Sequence, residues 1–410
     1  MSARRLAIGI CGCGPAGLAA ALFLHRSGHQ VTLFERFETA QPVGSGLILQ
    51  PTGLAVLSEL DAIQEVAALG APIDRLFGRA VPSQRVVLDV RYRALGAGWR
   101  GLAIHRAALF NVLHEKVAAC RIPITCGVTV LGIRHEGAQQ QLLAAGQHSL
   151  GKFDLIVDAM GSNSPFTVGI SRRVLPYGAL WANVPWPSGG QFLESALEQR
   201  YRRAERMAGI LPVGRRHAGA PAQAAFFWSL KRDRLAHWQA TDLGVWKNEV
   251  AQLWPQVAPL LDGITDRAQI TFARYDHFTR PIPFGAGLVH VGDAARATSP
   301  QLGQGANMAL LDTLALQVAL NQPIALADAL TLYGRMRYWH TRLFQWASAA
   351  FTPFYQSDSR VLPWVRDWFA APLSRMPVLS QVLARLVAGS LSPPLGRRHE
   401  FKLYRLGLKP

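Results

Sequence analysis

The chain has 410 residues, half of them hydrophobic, and carries 43 lysines and arginines against 26 aspartates and glutamates. This length and composition predict two or three packed domains and exclude a disordered chain. The net charge of +17 would suit nucleic acid, an anionic membrane or an anionic small ligand. Because the arginines are scattered and the sequence has no zinc-finger spacing, RNA-recognition signature or long basic block, we expect no nucleic-acid binding.

The cysteines and the N-terminus bear on the compartment of the protein. Four cysteines in so long a chain do not make a disulfide framework, and Cys11 and Cys13 have no further ligand at metal-binding spacing nearby, so we expect no metal. Arg4, Arg5 and the apolar run after them imitate an export signal, but cleavage there would discard a glycine-rich turn. No apolar stretch reaches the roughly 18 residues of a spanning helix. We therefore expect a cytoplasmic protein.

The first elements predict a βαβ unit. Residues 6–11 and 30–35 are short apolar runs, and residues 16–27 between them have helical character. The turn between the first strand and the helix has the pattern G-x-G-x-x-G, formed by Gly12, Cys13, Gly14, Pro15, Ala16 and Gly17. In this position backbone N–H groups and the helix N-terminus can bind a pyrophosphate. Glu35 ends the next strand, where it can accept hydrogen bonds from ribose hydroxyls. The pattern does not distinguish FAD from NAD.

The middle of the chain predicts inserted strands and a second domain. Residues 75–93 alternate in places and predict antiparallel strands, followed by a helix over 106–119 and a buried strand over 153–158. From about 171 to 274, aromatic-rich strands mix with basic helical stretches. The aromatic residues Trp181, Trp186, Phe226, Phe227 and Trp228 are mostly core residues, and some would line an apolar pocket; the sequence does not tell which.

The last third of the chain contains the most specific motif. A buried strand at 288–291 leads into a Gly/Ser/Pro loop, a long apolar helix over 306–321, and a helical, basic region from about 330 to 410. Residues 292–307 read GDAARATSPQLGQGAN. This run closely resembles the second flavin fingerprint of the aromatic hydroxylase family of FAD-dependent monooxygenases, whose members are similar to para-hydroxybenzoate and ubiquinone hydroxylases. Arg296 stands where histidine is usual.

The resemblance implies roles for residues in this loop. Gly292 and Asp293 would bind FAD, with Asp293 on the ribityl chain. Pro300 would lie beside the isoalloxazine, and the start of the helix would be aimed at the flavin pyrimidine. A helix N-terminus there stabilises the negative charge of a reduced flavin. The residues at this helix start are Gly303, Gln304, Gly305, Ala306 and Asn307.

Further matches occur in the order of the family. They are Glu35 with Arg36, the segment 44–47, and residues 104–106. By the resemblance, Arg106 would reach the cofactor near its phosphates, and Gly44 and Gly46 would allow close backbone approach to the ring.

The third family fingerprint, A-D-G-x-x-S-x-x-R, is where this sequence departs. Met160 replaces the aspartate, and Thr167 replaces the arginine. Since the family aspartate is associated with FAD and nicotinamide binding, the change argues against normal use of NAD(P)H. Electrons would then come from a flavin reductase or free reduced flavin, or nicotinamide would bind differently. In a neutral alternative Met160 only fills space. A register shift would make Asp158 the fingerprint acid.

The resemblance covers about residues 5–390 and implies an α/β fold: a Rossmann-like FAD-binding domain, an inserted β-sheet substrate domain and a helical C-terminal region. The expected FAD domain comprises residues 1–73, 100–170 and 275–330, the substrate domain 74–99 and 171–274, and the basic helical region 331–410. The basic and apolar C-terminal region would either pack on the FAD domain with its arginines exposed, as such helices usually do, or in addition contact the inner face of a membrane.

The activity implied is hydroxylation or epoxidation of an aromatic or other electron-rich apolar small molecule, with O2 and a flavin C4a-hydroperoxide. Three alternatives use the same cofactor: an FAD-dependent oxidase or reductase, a flavin-dependent halogenase, and a non-catalytic flavin-binding protein. Residues 181–186 read WANVPW and lack the W-x-W-x-I-P form of the halogenases, which disfavours the second.

Overall fold

The computed structural model describes residues 5–42, 44–167, 169–187, 189–374, 376–396 and 399–406. The strands are β1 Ala7–Cys11, β2 Gln30–Phe34, β3 Gly46–Leu49, β4 Ala71–Ile73, β5 Arg75–Ala80, β6 Val86–Arg91, β7 Gly101–His105, β8 Ile124–Thr125, β9 Val130–Glu136, β10 Gln139–Ala144, β11 Ser149–Phe153, β12 Leu155–Asp158, β13 Arg173–Val174, β14 Tyr177–Pro185, β15 Ala196–Arg202, β16 Arg206–Arg215, β17 Ala222–Lys231, β18 Ile270–Ala273, β19 Asp276–Thr279, β20 Phe284–Gly285, β21 Leu288–His290 and β22 Arg296–Ala297.

The helices are α1 Pro15–Arg26, α2 Pro51–Glu59, α3 Ile63–Leu69, α4 Arg106–Ala119, α5 Leu235–Ala240, α6 Leu243–Leu253, α7 Ala258–Leu261, α8 Gly305–Leu320, α9 Leu326–Tyr355, α10 Val361–Val365, α11 Ala371–Leu373 and α12 Pro377–Val387. A π-helical turn, Arg366–Ala370, joins α10 to α11. None of the helices in the described ranges has the length and hydrophobicity needed to cross a membrane.

The predicted βαβ unit forms the centre of the first sheet. β1 pairs in parallel with both β2 and β12, and the sheet has the order β20-β21-β12-β1-β2-β8. Pro15 at the first turn of α1 has a backbone angle suited to a helix start, and the alanines and leucines after it are strong helix formers. The buried faces of α1, α4 and α8 share one apolar core with the strands of this sheet.

The strand predicted over 153–158 is divided in two. β11 ends at Phe153 and pairs with β10, whereas β12 begins at Leu155 and pairs with β1. Asp154 lies between them, and its Oδ2 accepts a hydrogen bond from the backbone N of Ala7 at 2.8 Å. The chain therefore changes sheets at this residue.

A second sheet of seven strands has the order β18-β14-β17-β16-β15-β5-β6. Neighbouring strands are antiparallel except β15 and β5, which are parallel. Because side chains alternate between the faces of a strand, Phe226 and Trp228 of β17 pack with α6 and α7, whereas Phe227 points to the other face.

The C-terminal helices complete the structure. The end of α12 is attached through main-chain carbonyls: Gln304 Nε2 donates to Val387 O at 2.5 Å, Thr52 Oγ1 donates to Ala388 O at 3.2 Å, and His340 Nε2 lies 2.8 Å from Gly389 O. These features confirm the α/β fold class with an inserted sheet and a helical C-terminal region. The numerical domain boundaries stay a prediction.

Candidate functional site

The glycine-rich turn after β1 combines tight packing with an open approach. Gly12 has a φ of 101°, and a Cβ there would lie 2.8 Å from the carbonyl oxygen of Ala159. A Cβ at Gly17 would lie 1.8 Å from the carbonyl oxygen of Gly12. By contrast, no neighbouring part of the described structure lies within 4 Å of a Cβ built on Gly14, which precedes α1. This open space before a helix N-terminus fits a pyrophosphate.

Glu35, directly after β2, faces the same turn. Its Oε2 accepts a hydrogen bond from the backbone N of Cys13 at 2.9 Å, and its Oε1 accepts one from Phe37 N at 3.2 Å. A carboxylate has about four acceptor positions, so Glu35 can hold the turn and still accept ribose hydroxyls. Arg36 is exposed, with its guanidinium 4.7 Å from the centre of the Phe37 ring.

A cavity of about 710 Å³ is lined by β3, the loop that follows β21, the second sheet and the C-terminal helices. Gly292 joins this cavity to the glycine-rich turn, because a Cβ there would lie 3.5 Å from the Cβ of Ala16 in α1. The predicted site residues that line the cavity are Gly44, Gly46, Arg106, Gly292, Asp293, Pro300, Gly303, Gln304, Gly305 and Ala306. The predicted residues that are not part of its described lining are Gly12, Gly14, Pro15, Ala16, Gly17, Glu35, Arg36, Met160 and Asn307.

The start of α8 presents backbone N–H groups to the cavity. Gly303 adopts a left-handed conformation, with φ of 61°, and turns the chain into the helix. Within the described residues no side chain caps α8, so the N–H groups at Gly305 and Ala306 remain available to a ligand. Asn307 has a different place: its Oδ1 accepts from Gln50 N at 2.8 Å and its Nδ2 donates to Ile48 O at 3.2 Å. The Asn307 side chain thus ties α8 to β3.

Two charged side chains stand on the cavity wall near this helix. The pKa of Asp293 is raised by burial among protein groups, while Arg106 and Arg296 oppose that rise. The carboxylate is reached from the cavity, which is why it is solvent-accessible although protein surrounds it elsewhere. Gly44 leaves room for Arg106, since a Cβ on Gly44 would lie 2.9 Å from Cδ of that arginine.

A buried charge network lies behind the cavity wall. Asp312 Oδ2 accepts hydrogen bonds from Arg296 Nη1 at 2.5 Å and from Gly292 N at 2.9 Å. Its Oδ1 accepts one from Arg337 Nε at 2.8 Å. All three charged side chains are buried, so the loop that carries Asp293 is fixed from behind by a carboxylate shared between two arginines. Asp312 was not among the predicted site residues, although a lone acidic residue in the apolar helix 305–320 was a usable signal.

In the segment that corresponds to the third fingerprint, residues 158–167, the hydrogen bonds are made by other side chains than those of the family motif. Asp158 at the end of β12 is fully buried; its Oδ1 accepts from Met160 N at 3.1 Å, and its Oδ2 accepts from Ser164 Oγ at 2.7 Å and lies 2.8 Å from His290 Nδ1. The Met160 side chain packs against the apolar cluster that contains Phe153. Thr167 Oγ1 accepts from Arg172. An acid and an arginine are therefore present here at other positions of the chain.

Orphaned polar atoms also suit a bound cofactor. Gln50 Nε2 and Gln304 Oε1 are buried without a hydrogen-bond partner in the described structure, and both residues line the cavity beside the start of α8. Buried amide groups are normally hydrogen-bonded, so these atoms are expected to gain partners when the site is filled. Together with the open approach at Gly14, they show that the residues present fit a dinucleotide with a polar ring system.

Comparison with known proteins identifies that dinucleotide. The FAD binding domain family matches residues 5–167. A curated relative from Rhodococcus erythropolis, a probable 2-heptyl-3-hydroxy-4(1H)-quinolone synthase (AqdB2), is 27% identical over 94% of this chain and 97% of its own. A 3-amino-4-hydroxybenzoate 2-monooxygenase from Streptomyces cremeus is 26% identical over 82% of this chain and 84% of its own. Residues 5–167 thus form an FAD binding domain, and the chain as a whole is similar to the FAD-dependent monooxygenases of the aromatic hydroxylase family.

A solved structure agrees on the fold. The chain superposes on Klebsiella pneumoniae HpxO, complexed with FAD and uric acid, with a TM-score of 0.76 and 17% identity, covering 94% of this chain and 98% of that one. The cofactor of the monooxygenase is FAD, and the protein is an oxidoreductase.

The part of the monooxygenase cavity that the second sheet contributes has an aromatic pair. Trp181 and Phe227 of the second sheet line it, with ring centres 4.7 Å apart. Trp181 Nε1 donates to the hydroxyl of Tyr275 at 3.0 Å, and burial raises the pKa of Tyr275 to about 12. Tyr275 therefore keeps its proton and can donate it in a hydrogen bond. Sequence reasoning named Trp181 and Phe227 as aromatic residues of this sheet and missed Tyr275.

Proposed function

We propose that this monooxygenase hydroxylates a planar, mostly apolar heteroaromatic compound of the quinolone type. The observation that carries the proposal is the cavity itself, whose lining combines the aromatic side chains of Trp181 and Phe227 with the helix start at Gly305. Its volume of about 710 Å³ lies in the range of cofactor and drug-sized ligand sites. The product named for the Rhodococcus relative is a quinolone with a heptyl chain, a molecule of matching chemistry.

We also propose which part of FAD each of these residues binds. The turn 12–17 and Glu35 would hold the pyrophosphate and adenosine, and Arg106 would balance the phosphate charge. Asp293 would accept hydrogen bonds from the ribityl hydroxyls. Gly44, Gly46 and Pro300 would lie against the ring. The N–H groups at the start of α8 would stabilise negative charge on the ring system, as a helix N-terminus does.

The reaction requires two electrons and two protons besides O2. FAD supplies the reduced ring that activates O2; one oxygen atom becomes the hydroxyl group of the product and the other leaves as water. The protein binds and orients the substrate between Trp181, Phe227 and the start of α8, and the apolar wall excludes water. Tyr275, protonated at neutral pH, would donate a hydrogen bond to a substrate oxygen such as a ring carbonyl.

The electron source is a further part of the proposal. Met160 packs in an apolar cluster and does not belong to the described cavity lining, so it offers a nicotinamide no polar group. We therefore favour reduction by a separate flavin reductase or by free reduced flavin, or an unusual mode of NAD(P)H binding. Apolar substrates partition into lipid, so peripheral contact of the C-terminal region with a membrane, which is a separate proposal, would bring the enzyme to them.

Oxygen labelling tests the proposed reaction. The FAD-loaded enzyme, reduced without air by dithionite, would be mixed with ¹⁸O2 and either 2-heptyl-4(1H)-quinolone or 4-hydroxybenzoate. We expect one labelled oxygen in the quinolone product by mass spectrometry and less in the smaller, more polar acid. Tyr275→Phe should lower the yield about tenfold or more by removing a buried hydrogen bond, whereas Tyr338→Phe, at an exposed tyrosine, should not. Hydrogen peroxide with unlabelled, dehydrogenated products would instead identify an oxidase.

A further inference from the structure

An apolar surface covers the C-terminal helices at one end of the cavity. Its side chains are between 39% and 75% exposed, and they lie close together in the chain, which distinguishes them from the scattered apolar residues of an ordinary surface. We call this surface the apolar collar. It consists of Trp364, Trp368, Phe369, Leu373, Met376, Val378, Leu379 and Val382.

The collar is continuous with the lining of the cavity. Leu373 and Leu379 belong to both, and along α12 the lining continues inward through Leu383 and Leu386. The first half of α12 is exposed around most of its circumference, whereas Ala384, Leu386 and Val387 near its end are buried. An apolar molecule moving along α12 would therefore remain in contact with apolar side chains from the outer surface to the cavity.

Positive charge accompanies the collar. The Arg85 guanidinium lies 3.5 Å from the centre of the Trp368 ring, and Arg360 and Arg385 are exposed. Residues 359–396 contain one acidic side chain, Asp367, and it is paired with Arg366 at 2.7 Å. Aromatic and aliphatic groups bordered by arginines match the interface of an anionic bilayer, where rings enter the headgroup layer and cations meet lipid phosphates.

The structure corrects part of the basic surface expected from the sequence. Arg366 is only 1% exposed; its Nη1 donates to Phe354 O at 2.9 Å, and it lies between the rings of Tyr201 and Tyr355. It takes no part in the outer surface. Arg375, Arg397 and Arg398 lie outside the described residues.

We propose that the apolar collar docks into the interface of an anionic membrane and that apolar substrates pass from the lipid into the cavity along α12. The passage of substrate rests on the proposed function, whereas the docking does not. Among other occupants, a second copy of the chain would use hydrophobic contacts alone and would not need the exposed arginines.

Vesicle binding of the full FAD-loaded enzyme tests the docking. We expect it to sediment with vesicles of phosphatidylcholine mixed with phosphatidylglycerol, less with phosphatidylcholine alone, and less again in high salt. Val378→Asp, at the most exposed collar residue, should weaken vesicle affinity at least about tenfold. The matched control is Val245→Asp on α6, where the valine is 58% exposed and outside the described cavity lining; its affinity should be unchanged.

The unfolding temperature and FAD content of both variants establish that they fold. Failure of the wild type to sediment with the mixed vesicles at low salt overturns the inference. So does equal loss of affinity in the two variants. A dimer in lipid-free solution that Val378→Asp converts to a monomer assigns the collar to self-association and also overturns it. If the product contains labelled oxygen but the enzyme does not bind vesicles, only the docking proposal is overturned. If the enzyme binds vesicles but forms no labelled product, only the proposed function is overturned.

Discussion

Asp312 and Arg296 form a buried ion pair directly behind the loop of the second fingerprint, with Oδ2 and Nη1 2.5 Å apart. Arg337 binds the other oxygen of the same carboxylate, so removing the acid would leave two buried guanidinium groups without their counter-charge. We predict that Asp312→Asn lowers the free energy of unfolding by about 3–5 kcal/mol, measured by urea denaturation. Asp61→Asn, at an exposed pair with Arg26, should cost less than about 1 kcal/mol. An equal loss of unfolding free energy in the two variants would contradict the stabilising role of the buried charge network.

Replacing Gly17 by alanine should lower stability, whereas replacing Gly14 by alanine should lower FAD affinity. Gly17→Ala places a methyl group 1.8 Å from the carbonyl oxygen of Gly12, so α1 must move and the unfolding temperature should fall. Gly14→Ala meets open space and should fold normally, but its methyl group occupies the approach to the helix N-terminus. We expect FAD affinity to fall at least about tenfold in Gly14→Ala, measured by flavin fluorescence on dilution. Colourless wild-type protein that takes up no FAD would refute the whole assignment.

Met160 and the electron donor give a kinetic prediction. Loss of a positioned hydrogen-bonding group costs on the order of 1–3 kcal/mol, so NADH and NADPH should reduce the bound flavin slowly in anaerobic stopped-flow mixing. Met160→Asp should accelerate the bleaching if the lost carboxylate is the cause. Met160→Leu, which introduces no carboxylate, serves as the control and should leave the slow rate unchanged. Fast bleaching of the wild type at micromolar nicotinamide would show that other residues compensate.

His340 makes the stability depend on pH. Burial, and next Arg337, lower its pKa well below the usual value, and the neutral ring accepts from Arg337 Nη1 and donates to Gly389 O. Below pH about 6.5 the unfolded chain takes up a proton that the folded chain does not, so stability is lost as pH falls, by up to about 1.4 kcal/mol per pH unit for this group. His340→Gln should make the decline between pH 7 and 5 shallower in urea titrations.

The control for this slope is His135→Gln, at an exposed histidine, which should keep the wild-type pH dependence. Some slope should remain in His340→Gln, because burial also lowers the pKa of His29, His105 and His277. A parallel shift of the whole curve, without a change of slope, would mean that His340 acts only through packing.

Local patterns were enough to predict the elements that carry the cofactor motifs. The helix expected over 106–119 has those ends, and the helix expected over 306–321 is found one residue earlier, at Gly305–Leu320. In both cases a glycine, a strand end or an apolar run within a few residues determines where the helix begins. The glycine-rich turn was predictable for the same reason.

Long-range contacts and the direction of side chains were not predictable in this way. Asp312 meets Arg337 from another helix, and Gln50 meets Asn307 across 257 residues of sequence. Along β17 the period of two places Phe227 opposite Phe226 and Trp228, but since all three are aromatic, the pattern does not tell which face borders the cavity. Only the packing of α6 and α7 on one side decides it.

The attachment of α12 has a consequence for how such enzymes diverge. Gln304, Thr52 and His340 all reach main-chain carbonyls, at Val387, Ala388 and Gly389, and every amino acid supplies that carbonyl. Mutations in α12 that change the side chains facing the cavity, such as Leu383, would thus leave the anchoring acceptors in place. Selection can alter which molecules are accepted through this last helix, while the apparatus that holds FAD is inherited unchanged.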